Sequence, residues 1–410
     1  MRVPWRDELS VPLQPSHSDS PRRETRGWVR LALLVLALAS LFFIGYLWRW
    51  LHVSIAVPPS SVLSAKDVDS IAVGLTTPAG LSVNAYAIGL GEARVMVLTP
   101  KGDILLSSLP AKVLLVKKDN RGNGRSDGVE TLLSGLHNPS GLFLDGDQLY
   151  IAEEARILRV EFDSEARKVT RPLETIVPEL PHDGQHFTRT IKKGPDGFFY
   201  ATIGSSCNVC IEENPWRAAM IRFKPGQPPQ LFASGLRNTV GFDWQPGTDE
   251  LYGVDNGRDW LGDDLPPDEV NHIVERGFYG WPYLYGDNRP DPSFGRRGDD
   301  QAARATPPVY ELPAHVAPLS ILFLRHAKDK FADAALVTEH GSWNRSQKIG
   351  YEVVALHWRN GQITEEGFLT GFLKDGRVLG RPVDIAEDTN GVVFISDDFN
   401  GAIWRVAPSR

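Results

Sequence analysis

Two shortages and one peculiarity of hydrophobic patterning narrow the reading before any motif is considered. Only two of the 410 residues are cysteine, Cys207 and Cys210, too few to complete a tetrahedral zinc site on their own. No stripe of lysine and arginine interleaved with aromatics occurs, and the formal charge of -7 is spread along the chain. That excludes the electrostatic footprint of a phosphate-backbone binder, so nucleic acid is not an expected partner. No amphipathic repeat of helix length recurs, and long uncharged apolar runs are confined to one place. What is abundant is turn formers and aromatics. With 38 Gly, 30 Pro, 11 Trp and 42% hydrophobic residues, the chain can build a large core joined by many tight turns.

The apolar run, Leu31 to Trp48 (LALLVLALASLFFIGYLW), has the length a helix needs to cross a bilayer. Arg22, Arg23, Arg26 and Arg30 precede it, whereas only Arg49 and His52 follow closely, so the positive-inside rule leaves the N-terminus in the cytoplasm. A cleaved signal peptide is the rival reading, with Ala37, Ala39 and Ser40 as small residues near a cleavage point. The run continues beyond them to Tyr46, Trp48 and Trp50, which ends like an anchor. The expected organisation is a polar cytoplasmic tail over 1–27, a transmembrane helix over 28–50, a linker over 51–70 and an exported domain over 71–410. In a bacterium this places the domain in the periplasm, on a single pass through the inner membrane.

Within the exported domain a single phrase recurs: a turn, a short apolar strand, an Asp-Gly type turn, and a second strand ending in a small or acidic residue. It is read as GLHNPSGLFLDGDQLYIAEE from Gly135, HFTRTIKKGPDGFFYATIGS from His186 and GLRNTVGFDWQPGTDELYGVDN from Gly235. It returns as APLSILFL through ALVTEHG from Ala317 and as LGRPVDIAEDTNGVVFISDD from Leu379, and a worn first copy is read over Thr76 to Thr99. Six such copies, each rich in β-formers, predict an all-β, six-bladed β-propeller preceded by one N-terminal transmembrane helix.

In a propeller the turns entering the inner strands converge at one mouth of the central channel. That position holds His186 and Arg189, then Arg237 and Asn238, then His315, then Arg381. Arginines and a histidine converging on a concave site suit a planar polyanion beside a proton acceptor. Each of them, taken singly, is also an ordinary structural hydrogen-bonder.

The phrases HFTRTIKKGPDGFFYATIGS, ASGLRNTVGFDW, DEVNHIVERGFYGWP, LPAHVAPLS, EHGSWNRS and LGRPVDIAEDTNGVVFISDD, in that order, resemble the signature stretches of the glucose/sorbosone dehydrogenases that use pyrroloquinoline quinone (PQQ). The HGSWNRS phrase is closer to the sorbosone-type branch. The resemblance implies oxidation of a sugar or aldehyde, with His186 as the base that takes the hydroxyl proton while hydride passes to the quinone. It implies that Arg237 and Asn238 contact the quinone oxygens, that Arg381 grips a carboxylate, and that Tyr279 in FYGWP flanks the cofactor. The family's second carboxylate-binding arginine is replaced here by Val383, and Arg345 or Lys348 on the SWNRSQK turn is the expected substitute, Arg345 first because planar, bidentate pairing to a carboxylate suits arginine better than lysine. The family's Ca2+, held by backbone carbonyls, maps to the turn at Asn256, Gly257 and Arg258. Because no haem-attachment CxxCH motif occurs, electrons leave to a separate acceptor, a quinone or a cytochrome.

Two motifs remain. DNRGNGRSDGVE, Asp119 to Glu130, has calcium-loop spacing, but Arg121 stands where a ligand should, which favours a plain turn. Cys207 and Cys210 form a CxxC read as a structural disulfide in an exported domain, with a redox relay as the alternative. Two other functions are weighed: a lactonase-type calcium hydrolase, disfavoured because the mouth positions carry Arg and His rather than Asp and Glu, and a propeller that only binds.

Overall fold

The recurring phrase folds as the inner hairpin of a blade. The structure, a computed structural model, describes residues 24–51, 64–298, 300, 303–328, 330–359 and 361–409. Gly141–Asp145 pairs antiparallel with Gln148–Ala152 in the second blade, and Ile191–Lys193 with Phe199–Ile203 in the third. Thr239–Trp244 pairs with Leu251–Asp255 in the fourth, Pro318–Phe323 with Ala335–Glu339 in the fifth, and Pro382–Glu387 with Val393–Asp397 in the sixth. The Asp-Gly tips need a left-handed backbone that glycine adopts without strain, and φ is +63° at Gly146 and +78° at Gly197. Outer strands complete each sheet, giving six blades, and two short hairpins stand apart from them.

The first copy is divided in a way that the repeat pattern does not predict. Leu81–Ile88 pairs with Ala402–Pro408 as the outermost strand of the sixth blade, whereas Glu92–Leu98 is the innermost strand of the first blade and pairs with Ile104–Leu109. The reason is closure. A ring of blades is sealed when the start of the chain hydrogen-bonds to its end, which leaves no unpaired sheet edge at the seam.

Neighbouring blades pack face to face through large side chains. Phe199 lies 4.3 Å from Tyr150 of the second blade and 5.6 Å from Phe223 of its own, ring centre to ring centre. Burying each such ring contributes about 1.5–3 kcal/mol. Met96, Leu142, Ile191, Val240, Leu319 and Ile385, one from each inner strand, line a central channel of about 280 Å3. Near the Asp-Gly turns, the channel carries an ion cluster in which Asp243 meets Arg325 at 2.9 Å and Lys192 at 3.6 Å. The opposite end, where the inner strands begin, is the mouth.

The expected linker ends in structure. Helix α2 (Ala65–Gly74) starts with a reciprocal cap, Ser64 Oγ accepting from the Asp67 amide at 3.3 Å while Asp67 accepts from the Ser64 amide at 3.1 Å. Its Val68 is fully buried among side chains of the fifth and sixth blades, so the folded body begins before residue 71. The linker's earlier residues, 52–63, lie outside the described residues, as does the expected tail over 1–23. Helix α1 (Glu24–Leu51) covers the apolar run, and its described side chains are those from Arg30 to Phe43. Among the described residues no helix is long and apolar enough to cross a membrane.

Candidate active site at the channel mouth

The acidic residue that ends several second strands has a mechanical task. Asp255 accepts the backbone N–H of Asn238 at 2.9 Å, Asp397 accepts that of Arg381 at 3.0 Å, and Glu153 accepts that of His137 at 2.7 Å. In each case a buried carboxylate fixes the residue that enters the inner strand. Burial pushes Asp255 and Asp397 up to about 6, and Asp268, which fixes Gly257 and Ala317 through their amides, up to about 7.

His186 is partly buried, with Nδ1 at 2.8 Å from the Ser205 carbonyl and 3.0 Å from Ser205 Oγ. Ser205 Oγ donates its own hydrogen to the Cys207 carbonyl at 2.7 Å, so it meets Nδ1 as an acceptor. Both neighbours of Nδ1 therefore accept, the proton sits on Nδ1, and the lone pair is on Nε2. Burial, and next the positive charge of Arg237, lower the imidazole pKa to about 3, against the opposing pull of the Ser205 carbonyl. Gly204 is what lets Asn238 approach. A Cβ there would stand 2.5 Å from Asn238 Oδ1 and 2.6 Å from His186 Cβ. That Asn238 oxygen is buried without a hydrogen-bond partner.

Arg237 is buried and spends its donors on the scaffold: Nε on the Asn208 carbonyl at 2.9 Å, Nη1 on the Asn256 carbonyl at 3.0 Å and Nη2 on Asn208 Oδ1 at 3.0 Å. One hydrogen of each Nη is left over, and Asp259 lies 3.5 Å from Nη2. At the Asn256–Gly257–Arg258 turn, the Arg258 side chain turns away to a buried ion pair with Asp291 at 2.8 Å. The carbonyls of Gly257 and Arg258 accept no hydrogen bond from the described residues.

A second cluster goes beyond what the sequence suggests. Arg381 Nε and Nη2 approach the carbonyls of His340 and Gly341 at 3.2 and 3.4 Å. His340 Nε2 donates to Asp398 at 2.9 Å, and Asp398 also takes Arg94 Nη1 at 2.8 Å. Burial outweighs Asp398 and holds His340 neutral, at about 4. Burial alone would raise Asp398, but His340 and the guanidinium groups of Arg94 and Arg381 outweigh it and keep the carboxylate well below its usual range. Arg94 gives no sequence signal because it enters the inner strand of the first blade, whose boundaries the repeat hides. His340 and Asp398 do carry a usable signal: each follows the acidic residue that ends a second strand.

Several expected site residues have other duties. Arg189 is fully buried and donates to the carbonyls of His186, Thr188 and Pro181, so it shapes the His186 loop instead of binding a cofactor. Tyr279 packs in the apolar core between the third and fourth blades, with its hydroxyl donating to the His272 carbonyl at 2.6 Å, and it also lines a small cavity with Arg237, Asn256, Gly257 and Arg258. His315 places Nε2 2.8 Å from the Gly262 carbonyl and props the loop over 259–264. Arg345 binds the same loop through the Asp263 carbonyl and the Asp264 carboxylate, whereas Lys348 makes no ion pair among the described residues. Cys207 and Cys210 are joined in a disulfide beside Ser205. They also lie with Glu212 in the group of metal-capable side chains found among the described residues, but their sulfurs are bonded to each other and Glu212 accepts from Ser206. In the Asp119 loop the carboxylate accepts the amides of Asn123 and Gly124, and Glu130 pairs with Lys117, which makes the segment a turn.

Fold and mouth together define a six-bladed propeller with a neutral histidine beside buried arginines. The chain belongs to the TrAA12-like family, whose profile matches residues 75–272 and 289–409. It is 31% identical over 367 residues to an uncharacterized protein of Borreliella burgdorferi, covering 85% of this chain and 93% of that one. It is 28% identical over 219 residues to the PQQ-dependent pyranose dehydrogenase of Coprinopsis cinerea, covering 42% of this chain and 30% of that larger protein. A calcium structure of a Trichoderma reesei member of Carbohydrate-Active Enzymes Family AA12 superposes with a TM-score of 0.73 at 21% identity, covering 85% of this chain and all of that one, a likeness of fold. The family profile thus spans most of the propeller, the similarity to a PQQ-dependent sugar dehydrogenase covers 42% of this chain, and nothing in these similarities singles out the sorbosone branch.

Proposed function

We propose that this chain is a PQQ-dependent dehydrogenase that oxidises a hydroxyl or aldehyde carbon of a sugar. The observation that carries the reading is His186, whose Nδ1–H is fixed by two acceptors and whose Nε2 makes no hydrogen bond among the described residues. The residues present fit a planar tricarboxylate. Arg381 holds only two long hydrogen bonds and Arg94 and Arg237 add positive charge, while the buried, unpartnered Asn238 Oδ1 can accept a hydrogen from a donor group of the ligand. When bound, such a cofactor supplies a two-electron acceptor. His186 takes the substrate hydroxyl proton at Nε2, and its buried, neutral state keeps it ready to do so. Arg381 and Lys348 hold carboxylates, while Arg237 keeps Asn208 and Asn256 in place and turns its leftover hydrogens toward developing negative charge. The carbonyls of Gly257 and Arg258 are the seat for Ca2+, favoured by Arg258 giving its own charge to Asp291.

The same proposal places the propeller in the periplasm on a retained helix, with electrons passing to a separate quinone or cytochrome. Its support is the arginine bias before Leu31 and the exposure of the apolar side chains described in α1, from Leu31 at 53% to Phe42 at 80%. The test is reconstitution of the detergent-solubilised full chain with PQQ and Ca2+, assayed on aldoses and aldehydes with an acceptor dye. Saturable PQQ binding with sugar-dependent dye reduction is expected, and fractionation with membranes accompanies it. Absence of PQQ binding would remove the reading.

A further inference from the structure

Trp260 and Trp343 are the exposed tryptophans among the described residues, 46% and 40% open to solvent, and their rings meet edge to face at 5.3 Å. Nothing in the chemistry assigned above uses them. Both stand at the rim of the mouth. Trp260 follows Asp259, which faces Arg237, and Trp343 comes just after His340 and Gly341, whose carbonyls face Arg381. The loop that presents Trp260 is tied down on both sides. Asn208 and Asn344 hold Asp259 at 2.8 Å each, His315 holds the Gly262 carbonyl, and Arg345 and Ser346 hold Asp263 and Asp264. Trp260 has a φ of +73°, a conformation that costs a bulky residue free energy, so burial is not what places this ring.

Size and charge decide what such a platform takes. A whole tryptophan side chain offers about 200–250 Å2, so the exposed parts of both total roughly 200 Å2. That matches one face of a pyranose ring, and falls well short of the roughly 800 Å2 per partner of a stable protein interface. Around the two rings the charges are matched, Asp259 facing Arg237 and Asp264 pairing with Arg345, which favours an uncharged ligand. Asn344, adjacent to Trp343, is buried with its Oδ1 unpartnered, an acceptor suited to a hydroxyl.

We propose that Trp260 and Trp343 form an aromatic subsite that stacks a second pyranose ring, so that the preferred electron donor is a neutral oligosaccharide rather than a monosaccharide. This rests on the sugar dehydrogenase reading. The holoenzyme would be assayed with glucose and with the cello- and malto-oligosaccharides up to the trisaccharides. The apo chain would be titrated with the same sugars while tryptophan fluorescence is followed. Trp343→Ala and Trp260→Ala should raise KM for the better trisaccharide about 3- to 10-fold, leaving kcat, the KM for glucose and PQQ affinity unchanged. Trp343→Phe should recover most of the loss, and the double Phe variant should lose the fluorescence response. Unchanged trisaccharide KM, equal losses on glucose and trisaccharide, or a raised KM for a cytochrome acceptor alone would each overturn the subsite. A chain that binds no PQQ yet still shows the saccharide-dependent fluorescence change would refute the dehydrogenase reading and keep the subsite.

Discussion

If His186 is the base, the acidic limb of the pH–rate profile should be missing from its ordinary place. An unperturbed imidazole titrates near 6.5, and lowering the pH from 7 to 5 would then cut the neutral fraction about 25-fold. Burial and Arg237 bring His186 down to about 3, so the folded imidazole stays almost wholly unprotonated through that range. The sign follows directly: lowering the pKa of a base keeps it deprotonated at lower pH, so activity is retained on the acidic side. On PQQ-saturated enzyme, kcat/KM should change less than about twofold between pH 7 and 5 on account of this group. His186→Gln should lower kcat by about 10²- to 10⁴-fold at every pH while PQQ titration gives nearly the same affinity. Stopped-flow dye reduction, with cofactor occupancy checked spectrally at each pH, separates loss of base from loss of PQQ. A limb centred near 6.5 that survives full PQQ occupancy would refute the reasoning, as would a His186→Gln variant with near-normal turnover.

Reducing the Cys207–Cys210 disulfide, or replacing both residues with serine, should loosen the carbonyl that orients Ser205 and lower kcat about 10-fold or more with PQQ affinity nearly constant, read by parallel turnover and titration. Arg189→Met leaves the Thr188 and Pro181 carbonyls unpaired and the His186 carbonyl with only Arg217 at 3.5 Å, and should cost about 3 kcal/mol in denaturant unfolding; an unchanged midpoint would show the guanidinium to be dispensable. Arg381→Ala and Lys348→Ala should each weaken PQQ binding about 10- to 100-fold, whereas Arg345→Ala should leave it within about twofold, as measured by fluorescence titration.

The propeller is legible because its signal is repeated: one strand-turn-strand phrase per blade, with glycine where the backbone needs positive φ. The failure at the first copy is equally physical. A seam joins strands from the two ends of the chain, Leu81–Ile88 and Ala402–Pro408, and no local pattern reveals such a long-range pair. The folded body starts earlier than residue 71 for a similar reason. Ser64 and Asp67 write a capping box, but the helix is too short to announce itself by periodicity, and only its contact through Val68 fixes it to the blades.

At the mouth, sequence order delivers residue types to the right place without saying what each is committed to. A buried guanidinium must find acceptors, and the nearest are often backbone carbonyls of its own loops. Counting arginines at a mouth therefore overstates the cations available to a ligand. Arg189 binds three carbonyls, Arg237 fills three donors at 2.9–3.0 Å, and Arg345 is held by Asp263 and Asp264. Arg381 makes only two side-chain contacts, at 3.2 and 3.4 Å, and its backbone is pinned by Asp397. Ranked by unspent donors, Arg94, with the single contact to Asp398, comes ahead of Arg381 and Lys348. Val383 supplies no grip of its own: it is buried on the inner strand of the sixth blade, where its carbonyl accepts from Thr338 and its apolar side chain lines the channel. On the proposed reading the second carboxylate partner comes from a neighbouring loop, and Lys348, which makes no ion pair among the described residues, is the candidate to supply it.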